Sequence, residues 1–264
     1  MERKIQNFKL EKFSPSAIIT YVNCPLSFYY QYIAKIQLPQ KQIHLLFGGA
    51  VHSAIEGMYN KLEPHGIFDE KFDINKLSAE EKSLHEEYVK LGHEMVKNYV
   101  AEHGILEDLY HLNAGTSELY IKRHLKNPIT GELSSIPMSG RIDRLTDAGI
   151  IIDYKTSSHK WSAEDTGYKI QTELYNLWYY SEYGRLPEET LYIVLLKKYK
   201  EVDKKESQVI QLLSKHCTMD ELASTFEEVE IILSKINNGD FERPLGFHPP
   251  YCDCHRYEEA LKVN

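Results

Sequence analysis

The chain has 264 residues, is 42% hydrophobic and 11% aromatic, and carries 31 Lys and Arg against 39 Asp and Glu, a formal net charge of −8. This composition is typical of a globular protein and excludes disordered, fibrous and disulfide-stapled classes. Residues 1–13 are charged and later apolar runs are short, so we expect neither a signal peptide nor a membrane span. The acidic balance excludes a broadly basic surface, so nucleic-acid binding would have to come from local basic segments.

Helical patterns dominate the N-terminal half of the chain. Ser14, with a proline at the first helical position after it, predicts a helix start. A second helix is predicted directly after Gly48 and Gly49, and a long charged amphipathic helix is predicted to end near Gly104. We interpret residues 53–113 as a helical insertion.

Strand-like patterns follow in the second half. The runs TSELYIKRHL and LSSIPMSGRIDRLT predict two strands, and a DAG turn leads from the second into a β-branched strand, IIIDYKTS. A helix with Gly184 at its end precedes a predicted strand pair, LYIVLLKKYK and SQVIQLLSK, and an amphipathic helix closes the pattern. This order of elements predicts an α/β fold, a sheet with helices packed on it.

The DAG turn brings acidic side chains together. If residues 147–149 form a three-residue hairpin loop, Asp143 lies directly opposite Asp153, whereas a two-residue loop would break this register. Like charges that face each other across two strands repel, so the pair requires a cation between them. Because side chains alternate along a strand, Lys155 projects to the same side as Asp153 and Tyr154 projects toward the helix layer or core.

Clustered oxygen ligands suit Mg²⁺ or Mn²⁺ better than zinc. Such an ion activates a water and neutralises charge on a phosphoryl oxygen, and a neighbouring lysine orients or deprotonates the water. The two acids and Lys155 therefore predict hydrolysis of a phosphodiester. The alternative interpretation is that Asp143 with Arg144, and Asp153 with Lys155, are solvated surface charges of two strands.

Four motifs carry a family resemblance: GGAVHSAIE (48–56), SGRIDR (139–144), IIDYKT (151–156) and QTELY (171–175). In order and spacing they resemble the RecB-like branch of the PD-(D/E)XK nuclease superfamily, which includes relatives of the AddB and RecB nuclease domains and CRISPR-associated exonucleases. The resemblance implies a central mixed β-sheet flanked by helices, a restriction-endonuclease-like core. It also implies a single nuclease domain over 1–264.

Within that domain we expect the catalytic core at about 114–215 and a C-terminal helix with a cysteine-containing tail at 216–264. By the resemblance, the catalytic residues would be Lys155, Asp143, Asp153, Gln171 and Tyr175. The metal ligands would be His52, Asp143, Asp153, the backbone carbonyl of Tyr154 and Glu118.

Some of these residues have simpler interpretations. His52 lies on an apolar helix face, where a core histidine is an alternative to a metal ligand. Gln171 and Tyr175 share a helix face, so the amide and the phenol would be available to bind substrate or Lys155. The alternative is that this aromatic helix face belongs to the core and its rim.

The cysteines match the family only in part. Several relatives bind an iron–sulfur cluster through one cysteine in an N-terminal NCPxxFYY-type segment and three near the C terminus. Here Cys24 matches, but Cys252 and Cys254 are only two residues apart and Cys217 lies far upstream. An iron–sulfur cluster or a zinc site is one interpretation. The other is that Cys24 packs as a small hydrophobic residue and the tail covers it.

Two segments are locally basic and flank the predicted site. We expect nucleic-acid contacts from Lys197, Lys198, Tyr199, Lys200, Lys122 and Arg123. Lysines there would neutralise phosphates, and the tyrosine would stack on an unpaired base. The alternative is that the lysines protect an exposed sheet edge.

The functional expectation is a cytoplasmic, metal-dependent DNA nuclease of bacterial or viral origin, using Mg²⁺ or Mn²⁺. The resemblance favours an exonuclease in recombination, repair or viral DNA processing, working on DNA alone or with a helicase or another recombination protein. The alternative is a catalytically idle or partner-dependent nuclease fold that acts as a nucleic-acid-binding or structural subunit.

Overall fold

The computed structural model describes residues 9–36, 38, 42–162, 166–197, 209–242 and 254–263. The helices are α1 (Pro15–Asn23), α2 (Pro25–Phe28), α3 (Gln42–Tyr59), α4 (Pro64–Lys71), α5 (Ala79–Lys82), α6 (His85–Tyr110), α7 (Thr166–Tyr183), α8 (Met219–Asn237) and α9 (Cys254–Val263). The strands are β1 (Gly115–Arg123), β2 (Met138–Thr146), β3 (Ile150–Ser157), β4 (Glu189–Leu196) and β5 (Ile210–Lys215). Within these ranges no helix is both long and apolar enough to cross a membrane.

The five strands form one mixed sheet in the order β1-β2-β3-β4-β5. Strands β3 and β4 are parallel and the other neighbours are antiparallel. A parallel pair needs a crossover connection, and α7 supplies it between β3 and β4. The predicted fold class, a central mixed sheet flanked by helices, is therefore confirmed.

Side chains of β3 alternate between two buried layers. Ile150, Ile152 and Tyr154 pack with the core beneath α3 and α6. Ile151 packs on the opposite face of the sheet, in a core that includes Leu174 of α7 and residues of α8. The sheet is thus covered on both faces.

Two helix boundaries differ from the prediction. Helix α3 begins at Gln42, so Gly48 lies inside it and not before it. A Cβ at Gly48 would lie 3.5 Å from Oγ1 of Thr156, so this glycine marks the contact of α3 with β3 and not a helix start. Helix α6 continues past Gly104 to Tyr110 and ends at His111, which has a left-handed φ of 53°.

Arg144 joins the end of α6 to the sheet. Arg144 is 2% exposed, and its guanidinium donates to the carbonyl oxygens of Leu112 (2.5 Å) and Asn113 (3.0 Å) and to the hydroxyl of Ser117 (2.6 Å). The same group lies 3.7 Å from the ring centroid of Tyr59. Arg144 is therefore a buried structural cation, and the interpretation as a solvated strand charge is wrong for it.

Candidate active site

The hairpin after β2 has the predicted register. The N–H of Gly149, which has a left-handed φ of 87°, donates to the carbonyl of Thr146 over 2.9 Å and closes a three-residue loop. Arg144 pairs with Ile152 in the ladder between β2 and β3. The same register places Asp143 opposite Asp153, where the ladder ends. There Oδ2 of Asp143 accepts a hydrogen bond of 2.8 Å from the N–H of Tyr154, so the two strands separate around the carboxylates.

A third acid lies in the same row of the sheet. In the ladder between β1 and β2, Ser117 pairs with Arg144 and Leu119 pairs with Ile142, which places Glu118 opposite Asp143. Glu118 has a φ of 50°, a left-handed conformation that costs free energy in a residue with a side chain. The carboxylates on β1, β2 and β3 thus form one acidic row: Glu118, Asp143 and Asp153.

Lys155 and Gln171 fix the carboxylate of Asp153. The side chain of Asp153 is 4% exposed, and its Oδ2 lies 2.5 Å from Nζ of Lys155. Its Oδ1 accepts a hydrogen bond of 3.0 Å from Nε2 of Gln171 on α7. The predicted convergence of two acids and one lysine is present in the structure.

Gln171 and Tyr175 on α7 form hydrogen bonds with each other and with residues of the sheet. Nε2 of Gln171 also donates to the hydroxyl of Tyr175 (3.2 Å), and that hydroxyl donates to the carbonyl oxygen of Arg141 on β2 (3.0 Å). Tyr175 is buried, and burial raises the pKa of its phenol, so it is a neutral donor. In the structure this amide and phenol link α7 to β2 and β3, and their contact with substrate or Lys155 stays a prediction.

His52 of α3 approaches the acidic row from the other helix layer. Its Nδ1 lies 3.6 Å from Oδ2 of Asp143, and its ring also interacts with the backbone of Tyr154. Burial lowers the pKa of His52, against the opposing effect of Asp153. A lowered pKa favours the neutral imidazole, the form that binds metal ions.

The three carboxylates of the acidic row carry more negative charge than the neighbouring cations neutralise. Burial, and then the charge of Asp153, raise the pKa of Asp143, although Lys155 and the N–H of Tyr154 act in the opposite direction. A divalent cation would remove this cost, and carboxylate oxygens are its preferred ligands. In the described part of the chain no three His, Cys, Asp or Glu side chains form a ready metal cage. The donors present, two carboxylates with an imidazole beside one of them, fit an ion that completes its shell with other oxygens.

The side chain of Tyr154 points away from the carboxylates, as predicted. Its hydroxyl lies 2.7 Å from that of Tyr59 on α3 and 3.1 Å from that of Tyr99 on α6, and the latter two hydroxyls are 2.6 Å apart. This triangle of phenols connects β3, between Asp153 and Lys155, to both helices of the covering layer.

The residues predicted to contact nucleic acid differ in their exposure and in their neighbours. Lys122 is exposed, whereas Arg123 pairs with Glu182 over 2.5 Å. Nζ of Lys197 lies 4.7 Å from the ring centroid of Phe47, and burial lowers its pKa. The ammonium of Lys197 is thus held against an aromatic ring. Lys198, Tyr199 and Lys200 lie outside the described residues.

The cysteines divide between two regions. Cys24 and Cys254 are buried in one small cluster with Tyr30 and Tyr257. Cys217 is buried in the core between the sheet and α8, and burial raises its pKa to about 12. The structure therefore brings Cys24 and Cys254 into one cluster and packs Cys217 in another, which argues against one four-thiolate site. Cys252 lies outside the described residues.

The sequence motifs did not single out Arg141. Its Nη1 lies 3.0 Å from Oε2 of Glu118, and its side chain is 61% exposed. Arg141 stands two residues before Asp143, so strand alternation places it on the same side of β2 as the acid. That spacing is the signal that would have identified it.

Comparisons with known proteins agree with this fold. A solved structure of a proposed exonuclease from Eubacterium rectale superposes with a TM-score of 0.55 at 15% identity, covering 97% of this chain and 93% of its own. The structure of SSO0001 gives a TM-score of 0.38 at 13% identity over 87% of this chain and 79% of its own, too low for an inference. No curated protein matches the chain. The model of the PD-(D/E)XK nuclease superfamily matches residues 12–257, and the chain belongs to this superfamily.

Proposed function

We propose that the protein is a metal-dependent DNA nuclease of the RecB-like branch, and that it acts as an exonuclease. The observation that carries the proposal is the convergence of Asp143, Asp153 and Lys155 at the point where β2 and β3 separate. Surface charges would be solvated, but Asp153 is buried and burial raises the pKa of Asp143. Buried titratable groups with opposing charges are typical of catalytic sites.

Each residue has a proposed role. Asp143 and Asp153 hold Mg²⁺ or Mn²⁺, together with His52, and the carbonyl of Tyr154 and Glu118 are further oxygen ligands. A divalent cation supplies Lewis acidity at the scissile phosphate. Lys155 orients the attacking water and stabilises negative charge that develops on the phosphate. Gln171 holds the carboxylate of Asp153 in place through the hydrogen bond to Oδ1.

Two similarities support exonuclease activity. The motif order resembles that of RecB-like nucleases, and the structural neighbour from Eubacterium rectale is itself a proposed exonuclease. The same resemblance carries the proposal of a role in recombination, repair or viral DNA processing.

The acidic net charge of −8 favours a nuclease that depends on a partner protein to deliver its DNA. An enzyme that binds DNA unaided usually presents a basic surface to the phosphates. A helicase or another recombination protein that delivers the DNA would remove this requirement. Weak cleavage by the isolated protein, restored by such a partner, is the expected sign of that arrangement.

Cleavage of end-labelled DNA tests the proposal. Linear single- and double-stranded DNA and a closed circle are incubated with Mg²⁺, Mn²⁺ or EDTA, using wild type, Asp153→Asn and Lys155→Ala. We expect metal-dependent loss of linear DNA only, abolished in both variants, while Lys155→Ala still binds DNA. Cleavage at the wild-type rate by Lys155→Ala would sink the site assignment. No cleavage by folded wild type with any metal would favour the idle or partner-dependent alternative.

A further inference from the structure

An open strip of side chains lies on β1 and β2 beside the acidic row. We call Tyr120, Lys122 and Arg141 the β1–β2 strip. Ile121 packs into the core next to α7, so by strand alternation Tyr120 and Lys122 project from the opposite face of the sheet. Arg141 is the register partner of Tyr120, and its ion pair with Glu118 places it on that same face.

The strip is exposed to solvent. Tyr120 is 57% exposed, the side chain of Arg141 is 61% exposed, and Lys122 is exposed. Tyr183 is also half exposed, but its ring packs 4.5 Å from that of Tyr179, centroid to centroid. In the described ranges Tyr120 makes no ring contact and no side-chain hydrogen bond. Its ring is therefore available to a ligand.

The strip is continuous with the proposed catalytic centre. Glu118 is the member of the acidic row on β1, and Tyr120 follows it on the same face, about 7 Å along the strand. Arg141 stands the same distance before Asp143 on β2. On this face the strip adjoins the acidic row at Glu118 and Asp143, beside α3, whose His52 lies 3.6 Å from Asp143.

The chemistry of the strip matches one kind of occupant. Arg141 has five N–H donors, and its ion pair with Glu118 leaves some of them available for phosphate oxygens. Lys122 supplies a second cation on the same face. An exposed tyrosine ring stacks on a base only when that base is unpaired, because a duplex buries the faces of its bases.

We propose that the β1–β2 strip binds the single-stranded stretch of nucleic acid next to the scissile bond. Tyr120 stacks on an unpaired base, and Arg141 and Lys122 bind phosphates on either side of it. This inference rests on the proposed nuclease function, and it adds to it that the substrate is single-stranded at the site.

Binding measurements separate the strip from catalysis. Anisotropy of a fluorescein-labelled 12-mer single strand is measured in Ca²⁺ in an Asp153→Asn background, with added Tyr120→Leu or Tyr120→Phe. We expect Tyr120→Leu to weaken binding about 5- to 100-fold, the range measured when a stacking ring is removed, and Tyr120→Phe to bind within about twofold. Tyr183→Leu is the matched aromatic control and is expected to bind normally.

Salt dependence tests the two cations. Arg141→Gln and Lys122→Gln should each reduce the slope of log Kd against log salt by about 0.7, whereas Tyr120→Leu should leave that slope unchanged. Arg141→Lys keeps the positive charge and should therefore retain the slope. Lys97→Gln on the exposed side of α6 is the charge control.

Two results would overturn the inference. One is wild-type affinity of Tyr120→Leu for the single strand. The other is an equal loss of affinity for a blunt duplex of the same length, which would show that the ring does not act on unpaired bases. Wild-type cleavage is measured in parallel. Failure to cleave would count against the proposed function, whereas the binding pattern alone decides the role of the strip.

Discussion

Gln171 on α7 donates a hydrogen bond of 3.0 Å to Oδ1 of Asp153 on β3. The other oxygen of that carboxylate faces the ammonium of Lys155. Each oxygen of Asp153 is therefore held by a different element, and the orientation of the carboxylate depends on both. An amide in this position is a positioning group, since it contacts a proposed metal ligand and not the reacting phosphate.

Replacing Gln171 tests this positioning role. We expect Gln171→Ala to leave the fold intact and to lower metal affinity or the cleavage rate about 10- to 100-fold, the usual cost of removing a group that orients a metal ligand. The measurement is the cleavage rate as a function of Mg²⁺ concentration. Gln31→Ala, at an exposed position in the N-terminal part of the chain, is the matched control. Equal Mg²⁺ dependence and equal rates in wild type and Gln171→Ala would contradict the role.

Asp143 should reduce the stability of the metal-free protein. It is confined next to Asp153, and burial raises its pKa, so the ionised group is unfavourable there. Asp143→Asn keeps an acceptor for the N–H of Tyr154 and removes the charge. We expect a gain of about 1 kcal/mol in the free energy of unfolding in EDTA, together with complete loss of cleavage.

Thermal unfolding in EDTA measures this gain. Asp147→Asn, an exposed carboxylate in the hairpin turn, is the control and should change stability by less than about 0.5 kcal/mol. A lower unfolding temperature for Asp143→Asn than for wild type would show that the carboxylate stabilises the fold without a metal.

Arg144 should be essential for stability. Its three hydrogen bonds and its contact with the ring of Tyr59 are buried, so a shorter side chain leaves two carbonyl oxygens without a donor. We expect Arg144→Lys to lower the free energy of unfolding by about 2–4 kcal/mol, because lysine cannot reproduce the planar fork of donors. Urea unfolding gives the value. Arg185→Lys, an exposed arginine paired with Glu188, should cost less than about 0.5 kcal/mol.

Cys217 should be an unreactive thiol. Burial raises its pKa to about 12, so the thiolate, which is the reactive form, is scarce below that pH. We expect Ellman's reagent at pH 8 to label Cys217 at least about 100-fold more slowly in the native protein than in urea. Mass spectrometry of the labelled peptides identifies the site. Rapid native labelling would show that the thiol is accessible and acidic, as in a metal or redox site.

Much of the geometry of the candidate site was predictable because it is local. The three-residue loop at 147–149 fixes which residues of β2 and β3 face each other, and strand alternation adds Lys155 on the side of Asp153. These inferences require only the two-residue alternation of side chains along a strand and the number of residues in the turn. The order of the remaining elements was sufficient for the fold class.

The rest depends on contacts between distant parts of the chain. Glu118 joins the acidic row through the pairing of β1 with β2, whose register no short turn determines. The ring that Lys197 contacts belongs to α3, and Tyr175 reaches a carbonyl of β2. The start of α3 was misplaced because Gly48 lies inside the helix, and a glycine there looks the same in the sequence as one at a helix boundary.

The short ladder between β2 and β3 has a mechanical consequence. Its pairs are Arg144 with Ile152 and Leu145 with Ile151, whereas β3 and β4 pair along the whole of β3. The sheet therefore consists of two ribbons joined at a hairpin, with Asp143 on one ribbon and Asp153 on the other. The gap between the two carboxylates is thus set by the hairpin and by α7, which bonds to both ribbons, and not by a continuous ladder of backbone hydrogen bonds.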